Sequence, residues 1–377
     1  MRVVALRRAG RRAWTLIELL VVIAIIAILM VLLLGGVQRV RVATYRTGNM
    51  NDINQLNTAV VNFMTTYHVS YIPSRIHLSE TNQYDLSKKL DADSVAFLKQ
   101  MFPRADFTPG NANIWYDWNG NGTKDVLSPA ASTNGEYILE GDQCLVFFLG
   151  GIPIPLSASN TVPGCSGFSA VPSDPTYHTS WQAKLKPSGP GTVNKPLFDF
   201  QPERLANLPH FLNKDAAGNK QPNGFYSYFD YYYKLNANDP KAVPEPYLYF
   251  SSYAGKTSNN GYNRYFDPKG TGASVINTFG VNLGPTTVSD CPTPGGGVWP
   301  YAEAPTSLGF PYMRYVKPDG FQIISAGRDG LFGPGTSPTG GPGGVPLVWT
   351  PATADSYGGY GADDQSNFYT TVLGSSP

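Results

Sequence analysis

Residues 11–36 read RRAWTLIELLVVIAIIAILMVLLLGG: two arginines, a small residue, an aromatic, and then an apolar run. Sixteen consecutive apolar residues, 19–34, are extended by Trp14, Leu16, Ile17 and Val37. As one helix they cross most of a bilayer's hydrocarbon thickness. Between Trp14 and Gly36 the only polar side chains are Thr15 and Glu18. A carboxylate on such a helix is costly in lipid and is kept where it has a partner or a task. Arg2, Arg7, Arg8, Arg11 and Arg12 precede the run and predict an N-terminus held in the cytoplasm with the rest sent outward.

Three readings compete for this segment. A cleaved secretory signal needs a small-x-small site after its apolar core, and Leu33-Leu34-Gly35-Gly36 is a poor one. A plain signal anchor fits the hydrophobicity but leaves Glu18 without a reason. The third reading accounts for both features. Ala13-Trp14-Thr15-Leu16-Ile17-Glu18 resembles the class III leader of type IV pilins and type II secretion pseudopilins, whose usual form is G-F-T-L-I-E. The resemblance implies that a prepilin peptidase cuts between Ala13 and Trp14 and methylates the new N-terminus. It implies that Glu18, then the fifth residue, neutralises an N-terminal amine, often that of the adjacent subunit, in a filament core. The implied partners are that peptidase, identical or related pilin subunits, and the inner membrane before assembly. The implied destination is a periplasmic or cell-surface filament. Ala13 and Trp14 depart from the usual glycine and phenylalanine. Electrostatics argues in the same direction, since a buried carboxylate costs several kcal/mol unless an opposite charge meets it.

The rest of the chain is consistent with an exported protein. Of 377 residues only 15% are charged, while Gly numbers 40, Pro 32 and Tyr 23, a loop-rich and aromatic-rich composition. Without the five leader arginines the net charge falls from +1 to about −4, so no nucleic-acid partner is expected. Cys144, Cys165 and Cys291 allow one disulfide or three buried thiols. The expected division is a leader at 1–13, a transmembrane and filament-core helix at 14–37, its amphipathic continuation at 38–70, and an extracytoplasmic head at 71–377.

Val40, Ala43, Thr47, Met50, Ile53, Asn57, Val60, Met64 and Tyr67 fall near helical spacing, with Arg39, Arg41, Arg46 and Asp52 around them. The helix is expected to end before Pro73. Gly35-Gly36 marks either a point that stretches during filament packing or a close helix contact. Further on, SVAFLKQMF (94–102) predicts a short helix with Val95, Leu98, Met101 and Phe102 inward. Apolar runs at 136–139, 144–149, 224–233, 247–250, 275–281 and 321–325, separated by Gly, Pro, Asn and Asp, predict an antiparallel sheet with long insertions. The fold class is therefore α+β: a long N-terminal helix packed on a β-rich head.

Two stretches have the oxygen chemistry of calcium. In DWNGNGTKD (117–125), oxygen ligands at alternate positions followed by glycine reproduce the start of an EF-hand-type loop. Asp117, Asn119 and Asn121 would give side chains, Thr123 a carbonyl, and Asp125 a direct or water-mediated contact. The twelfth position is Ser128 instead of glutamate, so the loop is incomplete or closed by a distant carboxylate. The competing reading is an Asn/Gly turn. The second stretch is carried by resemblance. YLYFSS, GFQIISAGRDGLFG and the pair Asp363-Asp364 resemble the C-terminal part of major pseudopilins, where calcium pins the last loop to the sheet. That implies Asp363, Asp364 and Ser366 as ligands, with Asp329 a further candidate.

Enzyme signatures are missing from the sequence. Ala254-Gly255-Lys256-Thr257 has the tail of a P-loop, but Phe250 stands at its first glycine. His68, His77, His178 and His210 form no metal motif. No catalytic residue is expected. The tyrosines at 226, 228 and 231–233, with Phe225 and Phe229, are either core or a stacking platform for a glycan. The leading expectation is a structural filament subunit, and the alternative is a membrane-anchored surface binding protein or adhesin.

Overall fold

The computed structural model describes residues 15–111, 114–125, 135–156, 161–176, 195–214, 220–233, 245–253, 262, 300–304, 314–328, 330, 332 and 363–374. They form an α+β protein with two compact units, Met1–Gly48 and Asn49–Pro377. The run 275–281 and Cys291 lie outside the described residues.

Helix α1 spans Leu16–Thr66. In the first unit it exposes apolar side chains on every face, from Leu16 at 83% through Ile17 at 70% to Val31 at 72%. A helix that is apolar all round has no polar face suited to solvent. The backbone stays helical through Gly35 and Gly36.

In the second unit the helix becomes one-sided. Ile53, Leu56, Val60 and Phe63 are fully buried at helical spacing, with Ala59 beside them. The stripe expected from Val40, Ala43 and Thr47 is solvent-exposed, and the buried face starts at Asn49. Asp52, expected among the polar residues, is buried too. The helix ends before Pro73 as the breaker requires, and His68 follows it at φ 52.

Helix α2, Lys89–Met101, begins ahead of the predicted 94–102 and buries Val95, Phe97, Leu98 and Met101. Helix α3, Gly141–Gly150, corrects the sequence reading, which placed a strand at 144–149. A short unbroken apolar run has no period to separate strand from helix. Here Leu and Phe dominate, and the ends are glycines. Gly151, at φ +84, closes the helix, its N–H donating to the Phe147 carbonyl at 2.8 Å. Gly141 lies so close to the next layer that an added Cβ would stand 1.9 Å from the Tyr249 carbonyl oxygen.

The strands do not form one continuous sheet. The largest sheet among the described residues has the order Tyr369–Val372, Gln365–Ser366, Phe321–Ser325, Leu248–Ser251, and the remaining strands pair in two-stranded antiparallel ribbons. Of the run 224–233 only Ser227–Tyr228 is strand. In the large sheet Tyr249 stands opposite Ile323. Tyr247, Tyr249, Phe321 and Ile323 point into the main core with α1 and α3. Leu248, Phe250, Ile324 and Ala326 point into a second cluster with Tyr262, Tyr315 and Leu373. The two-residue period of the strands thus serves two cores. Strand Ile76–Ser79 pairs with Glu136–Leu139, Ser79 opposite Glu136. Cys144 and Cys165 are both free thiols. Burial pushes the Cys165 thiol up to about 12.

Candidate functional site

The first turn of α1 is tied by its own side chains. Thr15 N–H and Thr15 Oγ1 both donate to Glu18 Oε2 at 2.9 Å, and Glu18 N–H donates back to Thr15 Oγ1 at 3.3 Å. This is a reciprocal capping box, satisfying amides that a helix start leaves open. Its signature, Thr15-x-x-Glu18, was available in the sequence. Glu18 therefore stands at the head of an apolar helix with its carboxylate turned toward the N-terminal end. Ala13 and Trp14 lie outside the described residues. Among the described residues no helix is long and apolar enough to cross a membrane.

The head holds the other predicted site residues in two places. In the 117–125 loop, Asp117 Oδ2 accepts from Gly122 N–H at 2.8 Å. Asn119 Oδ1 accepts from Asn121 N–H at 2.9 Å, and Asn121 Oδ1 from Thr123 N–H at 2.8 Å. Gly120 and Gly122, at φ +72 and +78, make the bends that fold these oxygens back over the loop. Asp125 Oδ2 gathers three donors: Asn119 Nδ2 at 2.9 Å, Asn121 Nδ2 at 3.0 Å and Tyr137 Oη at 2.8 Å. It orients both amides through their nitrogens. Ser128 lies outside the described residues.

A residue that sequence reasoning missed completes this loop. Glu80, directly after strand Ile76–Ser79, is fully buried, and its Oε2 accepts from Asp125 N–H at 2.8 Å. Its Oε1 has no hydrogen-bond partner. Burial first, then the charges of Asp125 and Asp117, push Glu80 up to about 8. The backbone amides of Asp125 and Asn119 oppose that shift. Only the pairing of distant segments brings Glu80 here, so no local pattern announced it.

At the C-terminal end, Asp363 Oδ2 accepts from Arg328 N–H at 2.6 Å, and Asp364 Oδ2 accepts from Tyr301 Oη at 2.8 Å. Ser366 is buried, and its Oγ has no hydrogen-bond partner. Gly327, at φ +72, passes so close to Asp363 that an added Cβ would meet its carbonyl oxygen at 2.3 Å. The structure therefore brings Asp363, Asp364 and Ser366 to the end of strand Phe321–Ser325. Asp329 lies outside the described residues. Among the described residues no three Asp, Glu, His or Cys side chains form a ready metal cluster, so a cation at either place would draw on amide, hydroxyl and carbonyl oxygens.

His77, which the sequence left unassigned, is held between two carboxylates. Nδ1 lies 2.8 Å from Asp91 Oδ1, and Nε2 2.8 Å from Glu136 Oε2. Burial alone would lower its pKa. The hydrogen bonds and charges of Asp91 and Glu136 outweigh it and raise His77 to about 9. The aromatic segment is core: Phe225, Tyr226, Tyr228, Phe229 and Tyr232 are all buried. Those five rings offer no stacking platform to a glycan.

No curated protein and no solved structure matches this chain. Residues 8–34 match the family model described as the prokaryotic N-terminal methylation motif. That match covers Arg8, Arg11, Arg12, Ala13, Trp14, the Thr15–Glu18 box and the apolar run, and it implies processing by prepilin peptidase and assembly with pilin subunits. The chain carries the N-terminus of a type IV pilin-like prepilin-peptidase substrate.

Proposed function

We propose that the protein is a structural subunit of a type IV pilus-like or type II secretion pseudopilus filament. The supporting observation is the first unit: an N-terminal methylation motif leading into a helix whose apolar side chains are exposed on every face. Before assembly, residues 14–37 hold the chain in the inner membrane with the head outside the cytoplasm. After cleavage before Trp14, the helices of neighbouring subunits bury that surface in a filament, periplasmic or at the cell surface. Glu18, already directed toward the helix start, neutralises the new N-terminal amine of a neighbour. The role is mechanical, and no residue is assigned to catalysis. At the C-terminal end, Asp363, Asp364 and Ser366 are the oxygen donors for a calcium ion that pins the last loop. The alternative of a glycan-binding adhesin loses its support with the burial of the aromatic segment.

Mass spectrometry of the mature N-terminus tests the reading. A chain starting at N-methylated Trp14 is the expected result. A membrane-extracted chain that retains Met1 or Arg2 overturns it.

A further inference from the structure

The 117–125 loop has the hydrogen-bond pattern of a turn, and an Asn/Gly turn alone would explain that pattern. It does not explain Glu80. This side chain comes from a different part of the chain, is fully buried, and lies against the loop through its bond to the Asp125 amide. Its second oxygen nevertheless has no hydrogen-bond partner. A buried carboxylate oxygen without a donor costs free energy, so a native structure that keeps one has a use for it.

We propose that Glu80 closes the loop as a calcium site, occupying the place that a glutamate at the loop's twelfth position would otherwise fill. The donors are Glu80 Oε1, the side-chain oxygens of Asp117, Asn119 and Asn121, and the Thr123 carbonyl. All are hard oxygens of mixed charge, from a loop and a distant carboxylate, a set that suits calcium better than the rigid octahedron of magnesium. Asp125 is a positioning residue, since its Oδ2 already holds the two asparagine amides and Tyr137. The site is separate from the C-terminal oxygens and does not depend on filament assembly.

The test uses the full chain in detergent, with Asp363→Asn and Asp364→Asn introduced to remove the C-terminal carboxylates. Trp118, fully buried beside Asp117, serves as the internal antenna for terbium standing in for calcium. Tryptophan-excited terbium luminescence is expected to saturate, to be displaced by calcium, and to be lost in Trp118→Phe. Glu80→Gln, which keeps the size of the side chain, is expected to weaken calcium displacement about tenfold or more. Asp117→Asn is expected to do the same. Should Glu80→Gln fail to fold, calcium-dependent protection of the parent chain against thermal unfolding is the second measurement. Absence of both terbium signal and calcium stabilisation overturns the proposal, as does unchanged calcium affinity in a folded Glu80→Gln chain.

Discussion

Arg204 Nη1 donates to Asp52 Oδ2 at 2.6 Å, and both side chains are buried. The pair links the buried face of α1 to a segment of the head far away in sequence. The guanidinium also donates to the Phe229 carbonyl at 2.9 Å from Nε and 2.7 Å from Nη2, and it lies 4.3 Å from the centre of the Tyr228 ring. Removing one partner of such a pair leaves a buried charge uncompensated. Asp52→Ala is expected to lower stability by about 3–5 kcal/mol. The double variant Asp52→Leu, Arg204→Met should recover part of that loss. Denaturant unfolding of the full chain in detergent measures both, and an Asp52→Ala effect below about 1 kcal/mol would place the pair among inconsequential contacts.

Glu18 has two separable roles, capping the helix and carrying charge. Glu18→Gln retains an oxygen that Thr15 can bond, whereas Glu18→Ala removes cap and charge together. If neutralising an amine is the role that matters, both variants drop out of filaments while the head keeps its unfolding temperature. If capping is the role that matters, Glu18→Gln assembles normally. Immunoblotting of sheared filaments distinguishes the two outcomes.

The Asp91–His77–Glu136 cluster predicts a pH profile. His77 is raised from 6.5 to about 9 in the folded chain, so its stabilisation is fully present below about pH 6.5 and is lost as pH rises through about 9. Tyr84, whose ring is 5.4 Å from His77, titrates far above that window because burial holds its proton. Thermal unfolding between pH 6 and pH 10 should show a downward slope in the parent chain that flattens in His77→Gln. Parallel slopes in the two proteins would remove His77 as the cause.

At Gly141, α3 runs close against the Tyr249 backbone of the large sheet. An alanine there must move backbone, because the blocking atom is the Tyr249 carbonyl. Gly141→Ala is expected to cost about 1–3 kcal/mol despite its better helix propensity, and calorimetry of the full chain would detect the lowered unfolding temperature.

Legibility in the sequence followed the range of the interactions. Thr15-Leu16-Ile17-Glu18 and the apolar run are local, and both the helix and its motif could be read from them. The strands at Glu136–Leu139 and Phe321–Ser325 were equally plain, bounded by glycine and polar residues. Helix α3 was misread because ten buried residues have no polar face to reveal a period. Asp52 was misplaced because its partner, Arg204, stands 152 residues away. Glu80 was invisible for a similar reason, since its loop partners are brought to it by pairing of Ile76–Ser79 with Glu136–Leu139.

Asn49 is buried where the one-sided stretch of α1 begins, and its amide donates to Ser325 Oγ and Gln365 Oε1, each at 2.9 Å. Its oxygen accepts from Tyr231 N–H at 3.1 Å and from Tyr247 Oη. Apolar side chains tolerate sliding, whereas these bonds do not. A displacement of α1 by one residue would turn it about 100° and strand Asn49, Ser325 and Gln365 together. Under a pull along the helix axis, the head would therefore resist without creep up to a threshold and then yield in one step.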